Sequence, residues 1–282
     1  MQSNDIDIVG RKTFFIAVES DMLPDSQLED FLSHGYECYL VNDDDFFPLR
    51  KKIDVLAESF PGSIFFFNID ARIPNITWEP YVKEFQKKHE EDALVGIVYT
   101  KRESPSENTR IENYYVWQAR LRAGCIGIQP KSKSHFEAIE RVLFETKANG
   151  RRKTARATCD NNSFVTFGYK KRRYRARVVD INISHISCIM DDKEAVVPIY
   201  EKMQNLALNI NGMVFNADAV MIIHREKGGV LTCVCMFIHT DGTPGLEPAT
   251  HAKLKRKIYQ IVSEQGMESL RALFNQARTA TR

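Results

Sequence analysis

The spacing of apolar residues changes character at residue 147, and this limits the chain to two structurally different parts. From residue 12 to 145, short apolar runs alternate with stretches whose apolar residues recur every three or four positions. Beyond 147 the helical spacing stops. Short runs of strand-forming residues separated by turn residues follow, and helical spacing returns only at 251. A chain of 282 residues is long enough for two such domains. Charge divides at the same place. Residues 1–146 carry 25 acids against 17 bases, and residues 147–282 carry 12 acids against 22 bases, so a nearly neutral total of +2 hides halves of opposite sign. With 43% hydrophobic and 27% charged residues, wholesale disorder and fibrous architecture are excluded.

In the first part, apolar runs at 12–18, 37–42, 63–70, 93–100 and 125–130 read as strands. The run at 63–70 is apolar without alternation, as strands buried on both faces are. Stretches at 26–36, 48–60, 78–89, 111–124 and 134–147 read as helices, with Gly35 and Gly124 as stops. Five strands alternating with five helices predict an α/β doubly wound parallel sheet over 1–146, whose chemistry lies just beyond the carboxyl ends of the strands.

Those ends carry Glu19, Ser20 and Asp21 after the first strand, Asp70 followed four residues later by Pro74 after the third, Thr100 after the fourth, and Gln129-Pro130 after the fifth. In this order they resemble the receiver domain of response regulators. The resemblance implies Asp70 as phosphoacceptor, Glu19 and Asp21 as the acidic residues holding Mg²⁺, and Thr100 as the hydroxyl partner. The chain departs from that pattern: Gln129 stands where the family has Lys, and Ser20 separates the acidic pair. The expectation is therefore a pseudo-receiver, with Mg²⁺ bound only if the domain is active.

Residues 147–157 read as an arginine-bearing linker and 158–282 as a small antiparallel β-barrel with C-terminal helices. Strands are expected at 157–169 around a turn at 160–163, at 174–190 as one long alternating strand, and at 205–212, 213–225 and 230–238, with a hairpin turn at 226–229. The tail is expected to form a helix at 251–265 stopped by Gly266, then a short helix at 267–276. Residues 147–177 hold 11 Lys or Arg and a single acid, Asp160. These bases fall at 151–156 and 170–177. Arginine's planar fork suits phosphate oxygens and stacks on rings. An Asn or Asp with a Ser two positions on can meet the edge of a purine.

Together these groups resemble the PilZ domain, whose signature is RxxxR followed by [DN]xSxxG. Arg152 and Arg156 match its first part, with Arg151 as an additional arginine. Asn182, Ser184 and Ser187 match the second part, except that Ser187 replaces Gly. A rival register begins at Asp180 and matches only there. The resemblance implies a six-stranded barrel that binds cyclic di-GMP through Arg151, Arg152, Arg156, Asp180, Asn182, Ser184 and Ser187.

The six cysteines form no CxxC pair and are expected to be buried, reduced thiols in a cytoplasmic, bacterial signalling protein. The chain starts without a signal-peptide pattern, and no apolar run reaches the ~18 residues of a membrane span. The functional expectation is a cyclic di-GMP-binding effector, not an enzyme, in which ligand binding at the linker and barrel face reorients the domains to control a downstream protein. Three alternatives stay open: a phosphorylation-controlled regulator with the barrel as output, an adaptor that has lost both ligands, and a single-stranded nucleic-acid binder using the 170–177 cluster. Aromatic stacking partners near that cluster are few, so nucleic acid is the less favoured partner.

Overall fold

The computed structural model describes residues 10–129, 134–150, 154–190, 197–227 and 230–280. These form two compact units, Met1–Lys153 with Met267–Arg282, and Thr154–Gly266.

The first unit is an α/β layer structure. Its strands are β1 (Lys12–Ile16), β2 (Glu37–Val41), β3 (Ser63–Asn68), β4 (Ala93–Thr100) and β5 (Cys125–Ile128). They pair in parallel in the order β2-β1-β3-β4-β5. Alternation along each strand sends its side chains to two separate layers. Phe14, Phe65 and Phe67 pack with Ile53, Leu56, Val82 and Phe85, from the helices α2 (Leu49–Ser59) and α3 (Trp78–Lys88). Phe15, Ile64 and Phe66 pack with Phe31, Ile139 and Leu143, from α1 (Asp25–Ser33) and α5 (Ser134–Glu145). All six strand residues are fully buried. Each aromatic ring so buried contributes about 2–3 kcal/mol, which explains why β3 reads as an unbroken apolar run.

The stretch read as one helix over 111–124 is organised differently. An α-helix α4 (Pro105–Glu112) precedes it and passes into a π-helical turn, Asn113–Gln118. Pro105 occupies the first turn of α4, where its missing N–H and fixed φ cost nothing. The helix therefore begins six residues earlier than its apolar spacing indicates.

The second unit is a closed six-stranded antiparallel barrel. Its strands are β7 (Phe164–Tyr169), β8 (Arg172–Ile181), β9 (His185–Met190), β10 (Lys202–Ile210), β11 (Met213–Lys227) and β12 (Val230–Ile238). They run in the order β8-β7-β10-β11-β12-β9, and β8–β9 pairing closes the circuit. A short strand β6 (Ala157–Thr158) adds to the edge of β8. Val165, Phe167, Val178, Cys188, Leu208 and Phe237 are among the buried interior residues.

Two element readings are corrected here. The single strand expected over 174–190 is two antiparallel strands, β8 and β9, because the chain reverses at residues 182–184. The two helices expected in the tail are one helix, α6 (Pro248–Ala280), which continues through Gly266. Leu254, Ile258 and Ile261 in its first half are buried, and Leu270 and Phe274 in its last part join the core of the first unit. Burial on both sides of Gly266 outweighs the roughly 1 kcal/mol that a helical Gly costs.

Candidate ligand site at the barrel edge

Residue 156 immediately precedes β6. The pairing of Ala157 with Ile181 and of Thr158 with Asp180 brings the end of the arginine run alongside the last residues of β8. Arg156 Nη1 lies 3.4 Å from Asp180 Oδ1 in an ion pair with both side chains partly exposed. Asp180 follows a β-bulge between Val178 and Asp180, and Cys159 N–H donates to the carbonyl of the bulged Val179 at 2.8 Å. Bulges of this kind re-aim a side chain that regular pleating would place elsewhere. Across the ladder, Asp180 faces Ser187.

The reversal between β8 and β9 is built on Asn182. Its Oδ1 accepts from Ser184 N–H at 2.9 Å, Ser184 Oγ at 3.0 Å and His185 N–H at 2.7 Å. Its own N–H donates to the carbonyl of His185 at 2.9 Å. Asn182 is thus an Asx turn in a buried position, and its side-chain acceptor is committed to the backbone. Ser184 Oγ also shares a 2.8 Å hydrogen bond with His185 Nδ1.

His185, which the sequence reading did not assign to the site, is held below the ordinary imidazole value, first by burial and then by the Arg156 cation. The neutral ring therefore adds a hydrogen-bonding group without adding charge. Burial first, and then the charges of Asp180 and Asp160, push the nearby Cys159 thiol up to about 12, so it is no nucleophile at neutral pH.

Ser187 is an ordinary extended residue of β9, paired to both Asp180 and Val234. Its backbone therefore does not need glycine's freedom, and only the space taken by its side chain distinguishes it from Gly. The fold thus gathers Arg156, Asp180, Asn182, Ser184 and Ser187 at one edge of the barrel. Arg151 and Arg152 lie outside the described residues, as do Pro130, Lys131, Gly228 and Gly229.

In the first unit, the phosphoacceptor-like Asp70 is held by a cation. Arg102 forms an ion pair with Oδ1 through Nη2, and its Nη1 lies 3.3 Å from Oδ2. The backbone N–H of Thr100 donates to Oδ2 at 2.6 Å. Arg102 lies two residues beyond Thr100, and its role went unassigned in the sequence because the family pattern places its cation after the fifth strand. Both carboxylate oxygens of Asp70 thus accept hydrogen bonds from these groups. Glu19 and Asp21 are exposed in the loop after β1. Among the described residues, no three His, Cys, Asp or Glu side chains are grouped to hold a metal ion, and no helix is long and apolar enough to cross a membrane.

No protein-family model and no curated protein matches the chain. Solved structures similar to it include the PilZ domain of YcgR with c-di-GMP from Escherichia coli, at 17% identity and a TM-score of 0.36, covering 42% of this chain and 97% of that one. A second is YcgR in complex with c-di-GMP from Escherichia coli, at 17% identity and a TM-score of 0.38, covering 43% of this chain and 50% of that one. The Bacillus subtilis inhibitor of motility, MotI/DgrA, is similar at 11% identity and a TM-score of 0.32, covering 39% of this chain and 50% of that one. The chain thus spans half the length of these last two proteins.

Proposed function

We propose that the chain is a cyclic di-GMP-binding effector whose site is the barrel edge around Asp180, and that it acts by binding rather than by catalysis. The observation that carries this reading is the convergence of two separated stretches of sequence. Arg156, from the run Arg151, Arg152 and Arg156, lies against Asp180, and Ser187 faces Asp180 from the next strand. A cyclic dinucleotide of guanine presents phosphate oxygens and two purine edges. Guanidinium forks suit the phosphates and the acceptor edge of guanine, and a carboxylate suits its N–H donors. In this reading Asp180 takes the guanine N–H groups and Arg156 exchanges its ion pair for the ligand. Arg151 and Arg152 close over the phosphates. Asn182 positions Ser184 and His185 rather than accepting a hydrogen bond from the ligand.

Because the arginines belong to the segment joining the two units, closure of that segment on a ligand restricts it. The proposed consequence is a shift in the population of unit arrangements, and hence in the surface offered to a protein partner. Small-angle scattering with and without cyclic di-GMP tests this step. A ligand-dependent change in radius of gyration is expected, and identical curves at saturation contradict it.

The site itself is tested by substituting Arg156→Ala and Asp180→Ala separately and measuring cyclic di-GMP affinity by equilibrium dialysis. Each change is expected to weaken binding by about tenfold or more, the loss of one charge-assisted contact. Affinity unchanged in both variants removes Asp180 and Arg156 from the site. Ser187→Gly is expected to tighten binding, since it frees space without changing the strand.

A further inference from the structure

We propose that the first unit carries a separate ligand site, a cleft between the end of β2 and the last part of α6, which takes a small aromatic carboxylate. The site shares no residue with the barrel edge and is independent of the cyclic di-GMP reading. It follows from how α6 is seated. Leu270 and Phe274, one helical turn apart, are buried in the core of the first unit. Met267 and Arg271, also one turn apart, line the cleft beside them. The facing wall is Leu40 and Val41 at the end of β2, then the loop that carries Phe46. β2 is the edge strand of the parallel sheet, and α6 rather than a further strand bounds the space beside it. The cleft has a volume of about 590 Å³, within the roughly 300–1,000 Å³ of small-molecule sites. Phe46 and Met267, which both line it, are large apolar side chains left exposed.

The polar groups of the cleft set the sign of the ligand. Lys52 of α2 lines it with a side chain that is almost wholly buried. A lysine so buried needs acceptors for its three N–H groups. One donates to Asn42 O at 2.7 Å and another to Asp44 Oδ2 at 2.5 Å. The third has no acceptor among the described residues. The ammonium stands 5.8 Å from the ring centroid of Phe274, which lines the same cleft. Arg271 likewise has no acidic partner among the described residues.

The two acids at the cleft are committed elsewhere. Asp43 Oδ1 accepts from Leu49 N–H at 2.8 Å. Asp44 Oδ1 accepts from the N–H groups of Phe46 and Phe47, each at 3.0 Å, and its Oδ2 from Lys52. The charge without a counter-ion is therefore the Arg271 guanidinium, and the donor without an acceptor is the third Lys52 N–H. One carboxylate answers both, since each of its oxygens accepts charge-assisted hydrogen bonds. A cation has no free acid to meet.

The body of the ligand is aromatic rather than a flexible chain. Phe46 and Phe274 both offer ring surface to the cleft, and ring pairs gain more than their burial alone provides. The Arg278 guanidinium already stacks on Phe46, 4.0 Å from the ring centroid, so this edge of the cleft favours planar groups. An acyl chain loses rotamer freedom on binding that a rigid ring does not have to lose.

The test uses the full chain, isotopically labelled at its methionine methyl groups, and follows the Met267 resonance by NMR. That resonance is identified by its loss in Met267→Leu. The chain is titrated with naphthoate, naphthylmethanol, naphthylmethylamine and octanoate. The expected result is a saturable shift of the Met267 methyl by naphthoate. The neutral alcohol and the cationic amine should each bind about tenfold or more weakly, the loss of a charge-assisted contact. Octanoate, which keeps the charge but not the ring, should also bind more weakly than naphthoate. Arg271 is exposed, so Arg271→Glu should leave the other methionine resonances in place while weakening naphthoate binding about tenfold or more. A Met267 methyl unmoved by millimolar naphthoate overturns the proposal. So does equal affinity for the alcohol, the amine or octanoate, or unchanged naphthoate affinity in Arg271→Glu.

Discussion

At the scale of single residues, Asn182 does more for the fold than its place in a ligand motif implies. Three donors converge on its Oδ1, two of them backbone N–H groups at the start of β9. Removing the acceptor leaves those N–H groups unpaired in a half-buried turn, at about 1–3 kcal/mol. Asn182→Ala should therefore lower the urea midpoint by that amount, whereas Asn182→Asp, which keeps the acceptor, should stay close to the parent. Equal destabilisation by both variants contradicts the turn assignment. Lys52 plays a comparable role in the other unit. Its buried ammonium donates to Asn42 O at 2.7 Å and pairs with Asp44 at 2.5 Å. Burial pushes the Asp44 carboxyl up, but Lys52 and the N–H groups of Phe46 and Phe47 more than offset this and leave it below its usual value.

At the scale of elements, α6 departs most from what the sequence led one to expect. Phe274 packs 6.1 Å from Phe47, centroid to centroid, and Leu270 and Phe274 belong to the same buried cluster as Phe65 and Phe67. Phe274→Ala should cost about 3 kcal/mol by the usual cost of emptying an aromatic core position. The loss should appear in the unfolding transition of the α/β unit, followed by protease resistance of its fragments; a cost below about 1 kcal/mol contradicts that packing. The parallel sheet was legible because its strands are buried on both faces and its helices carry separate apolar stripes. The tail was misread because Gly266 looks like a stop in isolation, and only tertiary burial on both sides carries the helix through it. The β8–β9 reversal was hidden for a related reason. Alternation continues across 182–184, and the Asn182 turn that breaks the strand uses a side-chain acceptor with no apolar signature. The sequence pattern singled out Arg156, Asp180, Asn182, Ser184 and Ser187, which the fold brings to one barrel edge. The Arg156–Asp180 pair and the bulge were not readable in the sequence, because strand pairing sets them.

At the scale of the whole molecule, three histidines impose a pH dependence. His89, His135 and His185 are each held below the ordinary imidazole value, in every case first by burial. Lys88 lowers His89 further and Arg156 lowers His185 further, while a backbone hydrogen bond with Gln129 partly opposes the shift at His135. Their folded values lie under the unfolded value of about 6.5, so unfolding takes up protons. Stability should be full above that value and fall as pH drops through it toward the folded values. Calorimetric Tm should therefore be lower at mildly acidic than at mildly alkaline pH, and a Tm that rises on acidification contradicts the assignment of these rings as neutral. The central claim is that this barrel edge recognises a guanine cyclic dinucleotide. Its most direct test is a calorimetric titration of the full chain with cyclic di-GMP, with GTP and cyclic di-AMP as controls and with Arg152→Ala and Arg156→Ala beside it. The account predicts saturable binding of cyclic di-GMP alone, weakened by about tenfold or more in each variant. A folded chain that binds none of the three, or binds all three alike, contradicts it.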